Sequence, residues 1–150
     1  MKRNLMNLGS SERIITRVLL LDEGAKPLWG KMNASEMLMH CNSCNREIFE
    51  RERGNKKTNF KQYLLRILAL YIAPNFKKGL SSEPHHITKG KAVHLNFEEI
   101  RKEFIELINR FPENRQPLTL THPAFGNIST NQWGIAAYKH MDHHLRQFGV

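Results

Sequence analysis

The chain has 150 residues, 40% of them apolar and 25% charged, which suits one soluble domain, residues 1–150, with its own core. Two cysteines exclude a disulfide framework. The longest apolar stretch, Tyr63 to Pro74, is too short for a bilayer span and contains Arg66. The N-terminus lacks the pattern of a signal peptide, so a cytoplasmic protein is expected. A net charge of +9 permits anionic partners. The basic residues are nevertheless scattered in short clusters, at Lys56-Lys57, Lys77-Lys78 and Lys89 to Lys91, outside any nucleic-acid-binding motif. A solvated basic surface is expected, with no membrane partner, and nucleic-acid binding, which a salt titration would reveal, stands as the third reading.

Helical periodicity runs almost throughout. Ser10 or Ser11 can cap a first helix with an apolar stripe of Ile14, Val18 and Leu21, flanked by Ile15 and Leu19, ending at Gly24 and Pro27. Asn33, with Glu36 three residues on, forms a capping box for a second helix that reaches the Glu50 to Arg53 charges and stops at Gly54. A third segment, Asn59 to Ile72, is apolar on more than one face and is expected to be buried between other elements. A polar loop should fill about 75–95. Asn96 and Glu99 cap a fourth helix, whose Phe97, Ile100, Phe104, Leu107, Ile108 and Phe111 face a core until Pro112. Pro117 and His122 to Gly126 interrupt regular helix, and no strand pair is evident. Ser129 and Gln132 open a last helix that runs to about Gln147, with Gly149 beyond it. The expected fold is all-α, an antiparallel helical bundle.

The last helix carries His140 and His144 four residues apart, on the stripe of Trp133, Ala136 and Ala137. Buried imidazoles need partners, and an i, i+4 pair can place two nitrogens on one divalent ion. A third ligand must come from elsewhere. His40, set among apolar neighbours of the second helix, is favoured, with His122 as its rival. His143 is off the stripe by one residue, and His85, His86 and His94 fall in the polar loop, where they should be solvated. Cys41 and Cys44 lie inside a helix without a second pair, so ordinary half-buried thiols are expected. Cys44 still follows His40 by one turn and could pair with it as a ligand.

Trp29 with Asn33-Ala-Ser-Glu36-Met-Leu-Met-His40, and His140-Met-Asp-His143-His144-Leu-Arg146-Gln147 at the other end, resemble the DinB/YfiT-like superfamily of bacterial four-helix-bundle metalloenzymes. The C-terminal motif departs from the usual pattern by placing Leu145 between His144 and Arg146. His122-Pro-Ala-Phe-Gly126 resembles an uncharacterised branch, and the 55–95 insertion adds a helix to the minimal bundle. The resemblance implies a four-helix bundle with an extra inserted helix, in which His40, His140 and His144 hold one metal. It also implies homodimerisation.

Three neutral nitrogens leave open positions on the ion, as in catalytic sites, and imidazole suits Zn or Ni. An open position could hold a water acidified to a pKa of about 7, for hydrolysis. It could instead hold a low-molecular-weight thiol for transfer to a small-molecule substrate, which is the favoured expectation. Glu36 is the candidate general base and Arg146 a candidate cationic group at the rim. A metal-stabilised bundle that binds without turnover is the non-enzymatic alternative. Because ligation needs neutral imidazole, metal affinity should fall below about pH 6.5.

Overall fold

The computed structural model describes residues 2–51, 54, 57–79, 86, 88, 90 and 96–150. Helix α1 spans Leu8–Leu19, α2 Ala34–Glu50, α3 Phe60–Ile67, α4 Phe97–Glu113 and α5 Thr130–Gln147. A π-helical turn, Leu68–Ile72, extends α3, and two short strands, β1 (Thr121–His122) and β2 (Gly126–Asn127), precede α5. The chain is therefore mostly helical, as expected. His85 and His94, read from sequence as solvated loop residues, lie outside the described residues.

Local capping accounts for most boundaries. Asn33 Oδ1 accepts the Glu36 N–H at 2.8 Å, and the Glu36 carboxylate accepts the Asn33 N–H at 2.9 Å, closing the expected box at the start of α2. Ser129 and Gln132 do the same for α5, and Asn59 with Gln62 for α3. The first helix departs from expectation. Asn7, not Ser10 or Ser11, is its cap, because Ser11 is buried and donates its hydroxyl to the Leu5 carbonyl. It also ends at Leu19, well before Gly24, and Leu19 is exposed rather than part of the core stripe. Pro112 sits in the last turn of α4 without stopping it; a proline there forfeits one hydrogen bond that the end of a helix can spare.

Helix α1 packs on α4 and α5, and α2 packs on the same two helices, so each of the four touches two others. Their shared interior holds Ile14, Val18, Met37, Phe104, Phe111 and Met141, each fully buried. The Phe97 to Phe111 stripe of α4 is buried at every expected position. A strand pair does exist, contrary to expectation: Thr121 pairs with Asn127 and His122 with Gly126, antiparallel. Gly126 turns with φ +71°, and a Cβ there would strike Thr58 at 2.5 Å, so only glycine fits the turn. The third segment is the largest departure. No residue of α3 proper is buried, and the π turn buries only Leu70. Among the described residues no helix is long and apolar enough to cross a membrane.

Candidate metal centre

Helix α5 turns Trp133, Ala136, Ala137 and His144 inward, with His140 partly buried on the same stripe. Facing it, α2 presents His40, only 3% exposed. The His140 Nε2 lies 3.0 Å from the His40 Nε2 and 3.0 Å from the His144 Nε2. Nitrogens each bound about 2.0–2.1 Å from one ion stand about 3 Å apart, so His140 is spaced as a co-ligand from each of its two neighbours.

Their protonation can be assigned from their partners. The His40 Nδ1 lies 3.0 Å from the His86 carbonyl oxygen, which only accepts, so Nδ1 carries the proton and Nε2 a bare lone pair. The Gln147 amide donates from Nε2 to the Trp29 carbonyl at 2.6 Å. That leaves its Oε1 to accept from the His144 Nδ1 at 3.0 Å, and the His144 Nε2 is bare as well. The His140 Nε2 can donate one proton to one neighbour, never to both. At least one of the two 3.0 Å contacts is therefore lone pair against lone pair, which a cation at the centre would relieve. Tying off the far nitrogen of each ligand to an oxygen is the usual way a protein orients imidazole toward a metal.

Cys44 adds a fourth donor. Its Sγ lies 3.9 Å from the His40 Nε2, and the donor atoms of His40, Cys44 and His140 fall within 4.8 Å of one another. This His–Cys–His group could hold a metal. It shares two residues with the three-nitrogen cluster and differs in its third donor. A thiolate sulfur binds zinc at about 2.3 Å against about 2.0–2.1 Å for an imidazole nitrogen, so the longer Cys44 contact also suits a ligand, approaching from the α2 side.

Other sequence candidates fall elsewhere. Both Glu36 oxygens are engaged by backbone, one by Asn33 and the other by the Gly90 N–H at 2.6 Å, so the carboxylate serves the α2 cap and the following loop. Arg146, two residues past His144, lies on another side of α5, exposed and 4.0 Å from Asp142. His122 is built into the hairpin: its Nδ1 accepts the Ala124 and Phe125 N–H groups at 3.1 and 3.2 Å, and its ring stacks on Phe125. His143 turns its ring edge to Trp29.

His86 corrects the expectation of a solvated loop residue. It is buried, with Nδ1 accepting from Ser43 Oγ at 2.7 Å and Nε2 donating to the Glu47 carboxylate at 2.6 Å. Its carbonyl is the one that fixes His40. The only trace in the sequence is on α2, where His40, Ser43 and Glu47 share a face at i, i+3 and i+7.

Trp29-Gly30 supports the other ligand. Gly30 has φ +85°, and a Cβ there would meet the Gln147 amide nitrogen at 2.5 Å. Gln147→Ala should remove the hydrogen bond that orients His144 and weaken metal binding about 10- to 100-fold. Titration calorimetry with zinc checks this, with the circular dichroism spectrum expected to stay unchanged.

Burial pushes all three imidazoles below the ordinary histidine range, His140 well below it and His144 to about 3. Burial takes His122 to about 4. Because each native pKa lies below the unfolded value, the unfolded chain binds protons first as pH falls. The metal-free protein therefore keeps this share of its stability above about pH 6.5 and loses it progressively toward pH 3. The same shifts move metal release on acidification below pH 6.5, lower than unperturbed histidines would release it. Urea midpoints of chelator-treated protein and metal content after dialysis, both measured across pH 4–7, check the two effects.

Fold and cluster together define a mostly helical protein in which a His–Cys–His group, His40, Cys44 and His140, could hold a metal ion. By sequence, the chain belongs to the family described as Protein of unknown function (DUF1569), whose profile matches residues 2–149. No curated protein and no solved structure matches it significantly.

Proposed function

We propose that the chain is a DinB/YfiT-like four-helix bundle, a single domain of α1, α2, α4 and α5 with α3 as the inserted helix, that holds one divalent ion on His40, His140 and His144. The observation that carries this is the meeting of three Nε2 atoms, two of them stripped of protons by oxygen partners behind them. Zinc or nickel suits three imidazoles. Bound there with open positions, the ion supplies Lewis-acid chemistry.

We propose thiol-dependent transfer to a small-molecule electrophile as the reaction. The engagement of Glu36 by two backbone N–H groups favours it over hydrolysis, since that carboxylate was the general base hydrolysis would use. Near His143 the chain offers a cationic, aromatic rim. Lys78 Nζ lies 3.9 Å from the centre of the Trp29 ring, which meets His143 edge-on. Such a rim can hold the carboxylate of an acidic thiol while His40, His140 and His144 stay neutral.

The test is elemental analysis of protein purified without a nickel resin, followed by turnover assays with and without added thiol. About one zinc or nickel per chain, with turnover only when thiol is present, supports the proposal. Ester or amide cleavage without thiol replaces transfer with hydrolysis. Bound metal with no turnover leaves a metal-stabilised binding bundle.

A further inference from the structure

Helix α3 is built inside out. Two of its polar side chains turn to the protein: Gln62 Nε2 donates to the Pro123 carbonyl at 3.0 Å, and Arg66 donates to the Asn127 carbonyl at 2.9 Å. Most of the large apolar side chains of α3 and its π turn face away, Leu70 excepted. Phe60 is 79% exposed and Ile72 66%, with Tyr63, Leu64, Leu68 and Tyr71 each at least 40% exposed. Phe60, Leu64 and Leu68 follow one another at i, i+4 and i+8, so the exposed residues form a stripe rather than scattered points. Exposing so much apolar surface on one short element is costly unless something covers it.

Charge identifies the cover. From Gly54 to Ser82 the chain has no Asp or Glu, and it carries Lys56, Lys57, Lys61, Arg66, Lys77 and Lys78. Two further lysines gather at the C-terminal end of the segment. Lys139 Nζ donates to the Ala73 carbonyl at 2.6 Å, and Lys2 Nζ donates to the Tyr71 carbonyl and lies over the Tyr71 ring. We propose that α3 and its π turn form a seat that lies in the plane of an anionic lipid surface. The stripe would enter the boundary between headgroups and acyl chains, and the lysines would meet lipid phosphates. Tyr63 has the amphipathic ring that favours that depth, while the Tyr71 hydroxyl accepts from Gln132 Nε2 at 3.2 Å. The segment is too short to span a bilayer, but an in-plane helix needs only one apolar face.

A second copy of the chain fits less well. Helix α3 with its π turn is about 20 Å long and 10 Å across. Pairing two of them falls well short of the roughly 800 Å² per partner of a stable interface and opposes two acid-free basic segments. Single-stranded nucleic acid would use the charge and the aromatic rings but leave the aliphatic stripe uncovered.

The test is co-sedimentation of the full chain with vesicles of phosphatidylcholine containing phosphatidylglycerol, and with phosphatidylcholine alone. Binding should be at least about tenfold tighter to the anionic vesicles. Each lysine lost, as in Lys61→Gln or Lys77→Gln, should weaken it about fivefold. Leu64→Ser with Leu68→Ser should abolish binding while leaving the circular dichroism spectrum and metal content unchanged, since both residues are exposed and remote in sequence from the histidines. No binding to anionic vesicles overturns the proposal, as does equal binding by the apolar variant. Lipid-independent dimerisation that the same variant abolishes would assign the face to a second copy. Oligonucleotide binding without vesicle binding would assign it to nucleic acid.

Discussion

Zinc or nickel is expected to raise the melting temperature of chelator-treated protein by about 10 °C, and His140→Ala to abolish the rise. A ligand that binds only the native state at a thousand times its Kd stabilises it by about 4 kcal/mol. For a domain of this size each kcal/mol shifts the melting temperature by about 2–4 °C. His140 is the residue to remove because its Nε2 is the one within 3.0 Å of both other nitrogens. Without metal the same substitution should cost little, since it relieves the crowding of lone pairs and leaves His40 and His144 anchored through Nδ1. Thermal melts followed by circular dichroism, with and without metal, measure both effects. The variants also separate the two donor sets. A rise that survives His144→Ala and disappears in Cys44→Ala would make Cys44 the third ligand, the reverse would confirm His144, and a rise that survives His140→Ala would place the metal elsewhere.

The second large effect concerns the core. Phe104→Ala should destabilise the protein by about 3–5 kcal/mol, because the ring is fully buried among the packed helices and its removal leaves a cavity. Leu64→Ala, also a truncation of a large apolar side chain, should change stability by no more than about 0.5 kcal/mol, since Leu64 on α3 is 48% exposed. Urea unfolding of the two variants checks the contrast. A large loss at Leu64 would mean that α3 is covered in solution, by lipid-independent self-association or by another part of the chain.

What the amino-acid pattern disclosed and what it hid divide along the range of the interactions. The boxes at Asn33–Glu36 and Ser129–Gln132 were legible because a cap is decided within four residues. The α4 stripe and the pairing of His140 with His144 were legible for the same reason, one helical turn being a local ruler. That His40 faces His140 could be favoured only from its apolar surroundings and the family resemblance, because spacing within one helix cannot say which helix faces it. Helix α3 was misjudged because periodicity identifies an apolar face without saying what lies against it. His86 was misjudged because its loop is polar in composition, whereas its burial depends on Ser43 and Glu47, 43 and 39 residues away. The true cap of α1 was missed because Ser11 is drawn inward by the Leu5 carbonyl, a competition that a list of good capping residues does not contain.

The hydrogen bond from His40 to the His86 carbonyl bears on the order of folding. His40 and His86 are 46 residues apart, and His40 and His140 are 100 apart, so the centre closes two long loops whose entropy must be overcome before its contacts form. Only the pair on α5 is local. We expect the centre to close after the rate-limiting step, an order that refolding and unfolding rates measured with and without zinc test. Bound metal should then leave the refolding rate nearly unchanged and act by slowing unfolding, making the centre a clasp on the finished fold rather than a seed for it.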